Sequence, residues 1–130
     1  MIRYLTKEEL VMINVILIKK YSPSEQIKVV SPELLDSAIN RPKQSAFGKD
    51  MYESIFEKGA ALFESLAQNH AFISANKRVA FVGLVQFLKY NGYNLTMTQE
   101  EAESFTLDIV MHNCDFKGIV LEIKKNTKRI

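Results

Sequence analysis

Apolar residues recur at three- and four-residue spacing in six separate stretches, and nowhere do they alternate at period two long enough to cover a sheet. Thr6 followed by Glu9 is a capping-box pattern ahead of an apolar run, and it predicts a helix over 7–20. The run from Leu10 to Ile18 is interrupted only by Asn14. Residues 21–30, with Ser22, Pro23 and Ser24, read as a loop; Ser31 then offers a cap and Pro32 a first helical residue for a short helix ending near Asn40. Its Leu34, Leu35, Ala38 and Ile39 form one apolar side. Residues 41–49 hold Pro42, Gly48 and one apolar pair, Ala46 and Phe47, which predicts a surface excursion shaped as a small extended flap.

Asp50 with Glu53 predicts the start of a third helix, which Ile55, Phe56, Gly59, Ala60, Leu62, Phe63, Leu66 and Ala67 carry to Asn69. Over 79–88, nine of ten residues are apolar or glycine, the pattern of a helix surrounded by others. That helix is expected to begin near 76–78, to close at Asn91 and Gly92, and to be the buried centre of the bundle. Thr98 with Glu101 starts a fifth helix, with Ala102, Phe105, Ile109 and His112 along one face, and Asp115 caps a sixth through Ile119, Val120 and Ile123. The basic tail, 124–129, is expected to fray. The prediction is an all-α single domain over 1–130, a bundle of about six helices around a central buried helix with a small flap.

At 130 residues, 47% of them hydrophobic, the chain suits one core. The formal charge of +2, from 17 Lys and Arg against 15 Asp and Glu, excludes an all-over basic coat, so no direct nucleic-acid partner is expected. What matters is where the positive charges sit. A lone cysteine, Cys114, excludes an internal disulfide framework and a multi-cysteine zinc site and fits a reducing cytoplasm. The His112, Cys114, Asp115 group lacks a recognisable zinc spacing. The longest apolar stretch falls far short of the roughly 20 residues that span a bilayer. Neither a membrane span nor a signal peptide is read, and a cytoplasmic location is expected.

Charge and polarity concentrate at His70, Ala71, Phe72, Ile73, Ser74, Ala75, Asn76, Lys77 and Arg78, between two apolar segments. A helix starting at 76–78 presents free backbone N–H groups and its positive dipole end to this loop, a ready place for a phosphate. Lys77 and Arg78 add full charges to an end that is already positive, which favours an anion between them. The competing reading makes them a solvated helix face. His70 has the side chain suited to take a proton near neutrality, so it is either a general base or a helix-end cap. Phe72 is expected to anchor the loop in the core.

HAFISANKR, His70 to Arg78, resembles the signature loop of the Fic/Doc superfamily, His-x-Phe-x-Asp-Ala/Gly-Asn-Lys-Arg in its death-on-curing branch. The Fic branch ends Gly-Asn-Gly-Arg, so Lys77 places the chain with the Doc branch. Arg41, Pro42, Phe47, Gly48 and Tyr52, then Phe56 to Asn69, resemble the family's flap and preceding helix; Phe87, Leu88, Asn91, Gly92 and Tyr93 resemble the close of its central helix. The resemblance implies a toxin of a bacterial toxin–antitoxin pair that moves the terminal phosphate of ATP to a threonine of elongation factor Tu and halts translation. Its partners would be an antitoxin and that factor. It further implies that His70 is the general base, that Asn76, Lys77 and Arg78 bind phosphates, and that Ser45, Ala46, Phe47 and Gly48 dock the target's main chain. AMP transfer, as in the Fic branch, and a catalytically silent binding protein are the alternatives. One position departs: Ser74 stands where the family carries the acid that holds Mg²⁺, and a hydroxyl is a weaker ligand than a carboxylate for this cation.

Overall fold

The computed structural model describes residues 1–130. Six helices form: α1 (Lys7–Tyr21), α2 (Pro32–Asn40), α3 (Ile55–Asn69), α4 (Asn76–Tyr90), α5 (Gln99–Val110) and α6 (Phe116–Lys125). Side chains cap five of them. Thr6, Ser54 and Thr98 close reciprocal capping boxes with Glu9, Glu57 and Glu101, while Ser31 and Asp115 accept from the N–H groups of Leu34 and Gly118. The start of α3 corrects the sequence expectation. Ser54 and Glu57 form the box there, and Asp50 is drawn off to pair with Lys58.

Four short strands supplement the helices. β1 (Ser45–Ala46) and β2 (Lys49–Asp50) pair antiparallel and make the expected flap a hairpin. β3 (Tyr93–Leu95) pairs with β4 (Thr127–Arg129), with Tyr93 opposite Arg129 and Leu95 opposite Thr127. The basic tail therefore does not fray. Asn126 ends α6, its carbonyl accepts from the Thr96 N–H at 2.7 Å and hydroxyl at 2.8 Å, and the Ile130 N–H reaches the Gly92 carbonyl at 2.9 Å. Backbone hydrogen bonds hold this segment, and three residues are too few to print an alternating pattern.

One hydrophobic core of 22 buried residues draws on every helix. Its middle is a pair, α3 with α4, rather than α4 alone. α3 has nine of its fifteen residues buried against six of fifteen in α4, because α2, α4, α5 and α6 all pack on α3. Phe81, Val82 and Val85 of α4 remain half-buried at its edge. The helices approach closely where side chains are absent: a Cβ on Gly59 would lie 3.1 Å from Leu84, and one on Gly83 would lie 3.3 Å from both Leu10 and Leu66. Phe63, fully enclosed, packs tilted on Phe105 and edge-on to Phe81 at centroid distances of 5.2 and 6.1 Å. His112 lies beyond the end of α5 in a left-handed conformation, φ 57°, and not along its apolar face. No helix is long and apolar enough to cross a membrane.

Candidate active site

The loop from His70 to Ala75 joins the two central helices, and both of its ends are left-handed. His70 is the C-cap of α3 at φ 52°, ψ 50°, and Ala75 is the N-cap of α4 at φ 65°, ψ 23°. Neither is glycine, the residue that adopts this conformation without steric cost. Such backbone persists only where the surroundings hold it, and here three contacts do so.

The first is a strap from the long loop before α2. Val29 bridges Phe72; the N–H groups of Val30 and Ser31 both donate to the Ala71 carbonyl, at 2.9 and 3.1 Å, and the Ile73 N–H donates to the Lys28 carbonyl at 3.0 Å. The second is Asn76, whose carboxamide grips the Phe72 backbone from both sides: its Oδ1 accepts from the Phe72 N–H at 3.0 Å and its Nδ2 donates to the Phe72 carbonyl at 2.8 Å. The third is Asn14 of α1, 1% exposed, which donates to the Ser74 carbonyl at 3.0 Å. With Ala71 and Phe72 each 3% exposed, the expected core anchor is in place, and the loop is fixed at both ends and in the middle. His70 itself is exposed.

Asn14→Leu keeps the volume but strands the Ser74 carbonyl, so it is expected to destabilise the protein by about 1–3 kcal/mol. Urea unfolding reads this directly, and an unchanged midpoint would contradict the bracing role.

α4 alone has no side-chain cap, and the N–H groups of Asn76, Lys77 and Arg78 have no acceptor from the preceding turn, Val79 being the first to find one, on Ala75, at 2.9 Å. Both cations are exposed, and neither belongs to any of the chain's four ion pairs. The Arg78 guanidinium lies over Tyr21, 4.5 Å from the ring centroid. The result is an open helix end carrying three unmet donors and two unpaired positive charges. Asn76 contributes its backbone N–H to that end while its side chain is committed to Phe72.

The flap is tied to the same helix that ends in His70. Arg41 donates to the Tyr52 hydroxyl at 3.0 Å, the Ala61 carbonyl at 3.3 Å, Glu64 at 2.8 Å and the Ser65 hydroxyl at 3.1 Å. Burial alone would lower its pKa, but the hydrogen bonds to Tyr52 and Glu64 outweigh that and hold the pKa above its ordinary value. Lys58, 0% exposed, sends its ammonium to the Pro42 carbonyl at 3.2 Å and to Asp50 at 3.3 Å, which fixes the hairpin's second strand. The hairpin itself, Ser45 to Asp50, is exposed throughout.

Mg²⁺ needs hard oxygen ligands, normally carboxylates. Around Ser74 the chain offers a hydroxyl and no acid within the loop, and no group of three His, Cys, Asp or Glu side chains is spaced to hold a metal ion. The donor set does not fit a protein-held Mg²⁺.

The sequence pattern placed His70 at the end of α3 and the start of α4 at 76–78, where the structure has them. It missed Asn14, whose signal was a single amide inside an apolar run, and it missed Lys58 and the strap over 28–31, which carry no motif.

A helical scaffold that hangs one loop between its two central helices, with a histidine at the head and an uncapped, cationic helix start at the foot, is a Fic-type domain. The chain belongs to the Fic/DOC family: a model of that family matches residues 4–88. The chain is also 36% identical over 100 residues to the Toxin Doc of Mycolicibacterium smegmatis, a match covering 75% of this chain and 77% of the relative.

Proposed function

We propose that the chain is the toxin of a bacterial toxin–antitoxin pair, working in the cytoplasm by transferring the terminal phosphate of ATP to a threonine hydroxyl of elongation factor Tu. The observation that carries the chemistry is the open start of α4, where three N–H donors and the unpaired Lys77 and Arg78 leave room for phosphate oxygens. His70, held at the other end of the same braced loop, takes the threonine proton. A bond forms between the threonine oxygen and the terminal phosphorus, the bond to the leaving phosphate oxygen breaks, and ADP stays at the helix end. Phosphoryl transfer is mostly positioning and charge neutralisation, which this loop supplies in kind.

The protein incubated with ATP, elongation factor Tu and either a terminal or an innermost phosphate label is expected to pass the terminal label to the factor. Passage of the innermost label instead would mean AMP transfer. The missing carboxylate at Ser74 favours, as a second reading, a silent binding protein whose partner is an antitoxin. In that case neither label moves, and Ser74→Asp, which restores an acid to the loop, is expected to produce label transfer where the parent has none.

A further inference from the structure

From Ser65 to Gln99 the chain carries no Asp or Glu, a stretch that takes in the close of α3, the whole loop from His70 to Ala75 and all of α4. The other segments that touch the loop repeat this. α1 has no acid after Glu9 and holds Lys19 and Lys20 in its last turn, and the strap over 28–31 offers Lys28 and no carboxylate. Two of the cations meet. The Lys20 ammonium of α1 and the Arg78 guanidinium of α4 lie 5.2 and 4.5 Å from the centre of the same Tyr21 ring. An aromatic face attracts a cation but does not cancel its charge, and neither Lys20, Lys77 nor Arg78 belongs to an ion pair. Like charges gathered without a carboxylate repel one another, and an anion among them relieves the repulsion.

We infer that this site takes ATP as the metal-free triphosphate, with Lys77, Arg78 and Lys20 supplying the neutralisation that a divalent cation supplies elsewhere. This rests on the proposed use of ATP at the loop and adds the form in which the nucleotide is taken. A metal bridging phosphate and protein needs a hard anionic oxygen on the protein side, and Ser74 presents a neutral hydroxyl where the loop has its one opportunity for one. The neighbouring ammonium and guanidinium groups also repel a dication, while each forms charge-assisted hydrogen bonds with phosphate oxygens directly. Mg²⁺ riding on the triphosphate cancels part of the charge those groups attract. Lys20 and Tyr21 lie outside the loop and take part because α1 packs along α4 and ends beside its open start.

The test is calorimetric titration of the protein with ATP at one ionic strength, once with Mg²⁺ in excess and once in EDTA, for the wild type, Ser74→Asp and Lys20→Gln. The wild-type Kd in EDTA is expected to equal or fall below that in Mg²⁺. Ser74→Asp should reverse the order and bind ATP about tenfold or more weaker in EDTA, where its carboxylate faces the phosphates with no metal between them. Lys20→Gln, an exposed change that leaves the loop's bracing intact, should weaken binding in EDTA about threefold or more and less in Mg²⁺. A wild type that binds about threefold or more tighter with Mg²⁺ would overturn the metal-free form and leave the proposed transfer standing. A Ser74→Asp protein, folded by its thermal midpoint, that is as indifferent to Mg²⁺ as the wild type would overturn it too, and so would an unchanged Kd in Lys20→Gln. A wild type that binds ATP in neither medium would overturn the metal-free form together with the function it serves.

Discussion

Replacing His70 with asparagine is expected to lower transfer to the protein substrate by about 10²- to 10⁴-fold, the range for losing a general base. Asparagine is the informative choice because residue 70 closes α3 in the left-handed region, φ 52°. Alanine there would confound lost chemistry with backbone strain, whereas asparagine tolerates the conformation but does not titrate. The helix end should survive, since the loop beyond it is held by the 28–31 strap, by Asn14 and by Asn76 and not by the imidazole. The variant should therefore bind ATP and unfold at the wild-type midpoint while transfer collapses. Wild-type transfer rates in a folded His70→Asn protein would remove the histidine from the chemistry.

Arg41→Ala is expected to destabilise the protein by about 2–4 kcal/mol, somewhat below the range for breaking a fully buried pair, because both partners keep some solvent contact. Side-chain exposures of 24% for Arg41 and 18% for Glu64 set that discount. The change removes donors to Tyr52, Ala61, Glu64 and Ser65 together and leaves the Glu64 carboxylate facing a half-buried gap. It also takes away the cation lying 5.5 Å from the Tyr52 ring centre and 5.3 Å from that of Phe116. Lysine in its place should recover little, since one ammonium cannot reproduce a planar fork that serves four acceptors and stacks between rings. Denaturant unfolding decides the matter. An Arg41→Ala protein as stable as the wild type would show that Lys58 alone fixes the flap.

The helices were legible because each announces itself twice, by an apolar stripe and by a polar cap; Thr6, Ser31, Thr98 and Asp115 all act where the pattern placed them. The start of α3 was misplaced because two cap-and-acid pairs at the same spacing compete, Asp50 with Glu53 and Ser54 with Glu57, and only the fold shows Lys58 claiming Asp50. The loop's composition displayed the histidine and the cations, but its bracing was invisible. Asn14 lies sixty positions from Ser74, and the strap over 28–31 touches Ala71 through backbone atoms that no side-chain pattern encodes. The pairing of the tail with β3 was hidden for the same reason: a three-residue ladder of main-chain bonds leaves almost no trace in residue types.

The open start of α4 follows from backbone shape more than from the identity of residue 75. A side chain caps a helix when its residue is extended, as Thr6, Ser31, Ser54, Thr98 and Asp115 all are. Ala75 is left-handed, so a serine or aspartate arriving there by random drift would point away from the first-turn donors and leave them open. The vacancy is thus buffered against mutation at the nearest position. Selection to keep it falls instead on the side chains of Asn14 and Asn76 and on the strap that bend the chain, so the constraint on this site is spread over groups that face away from the opening.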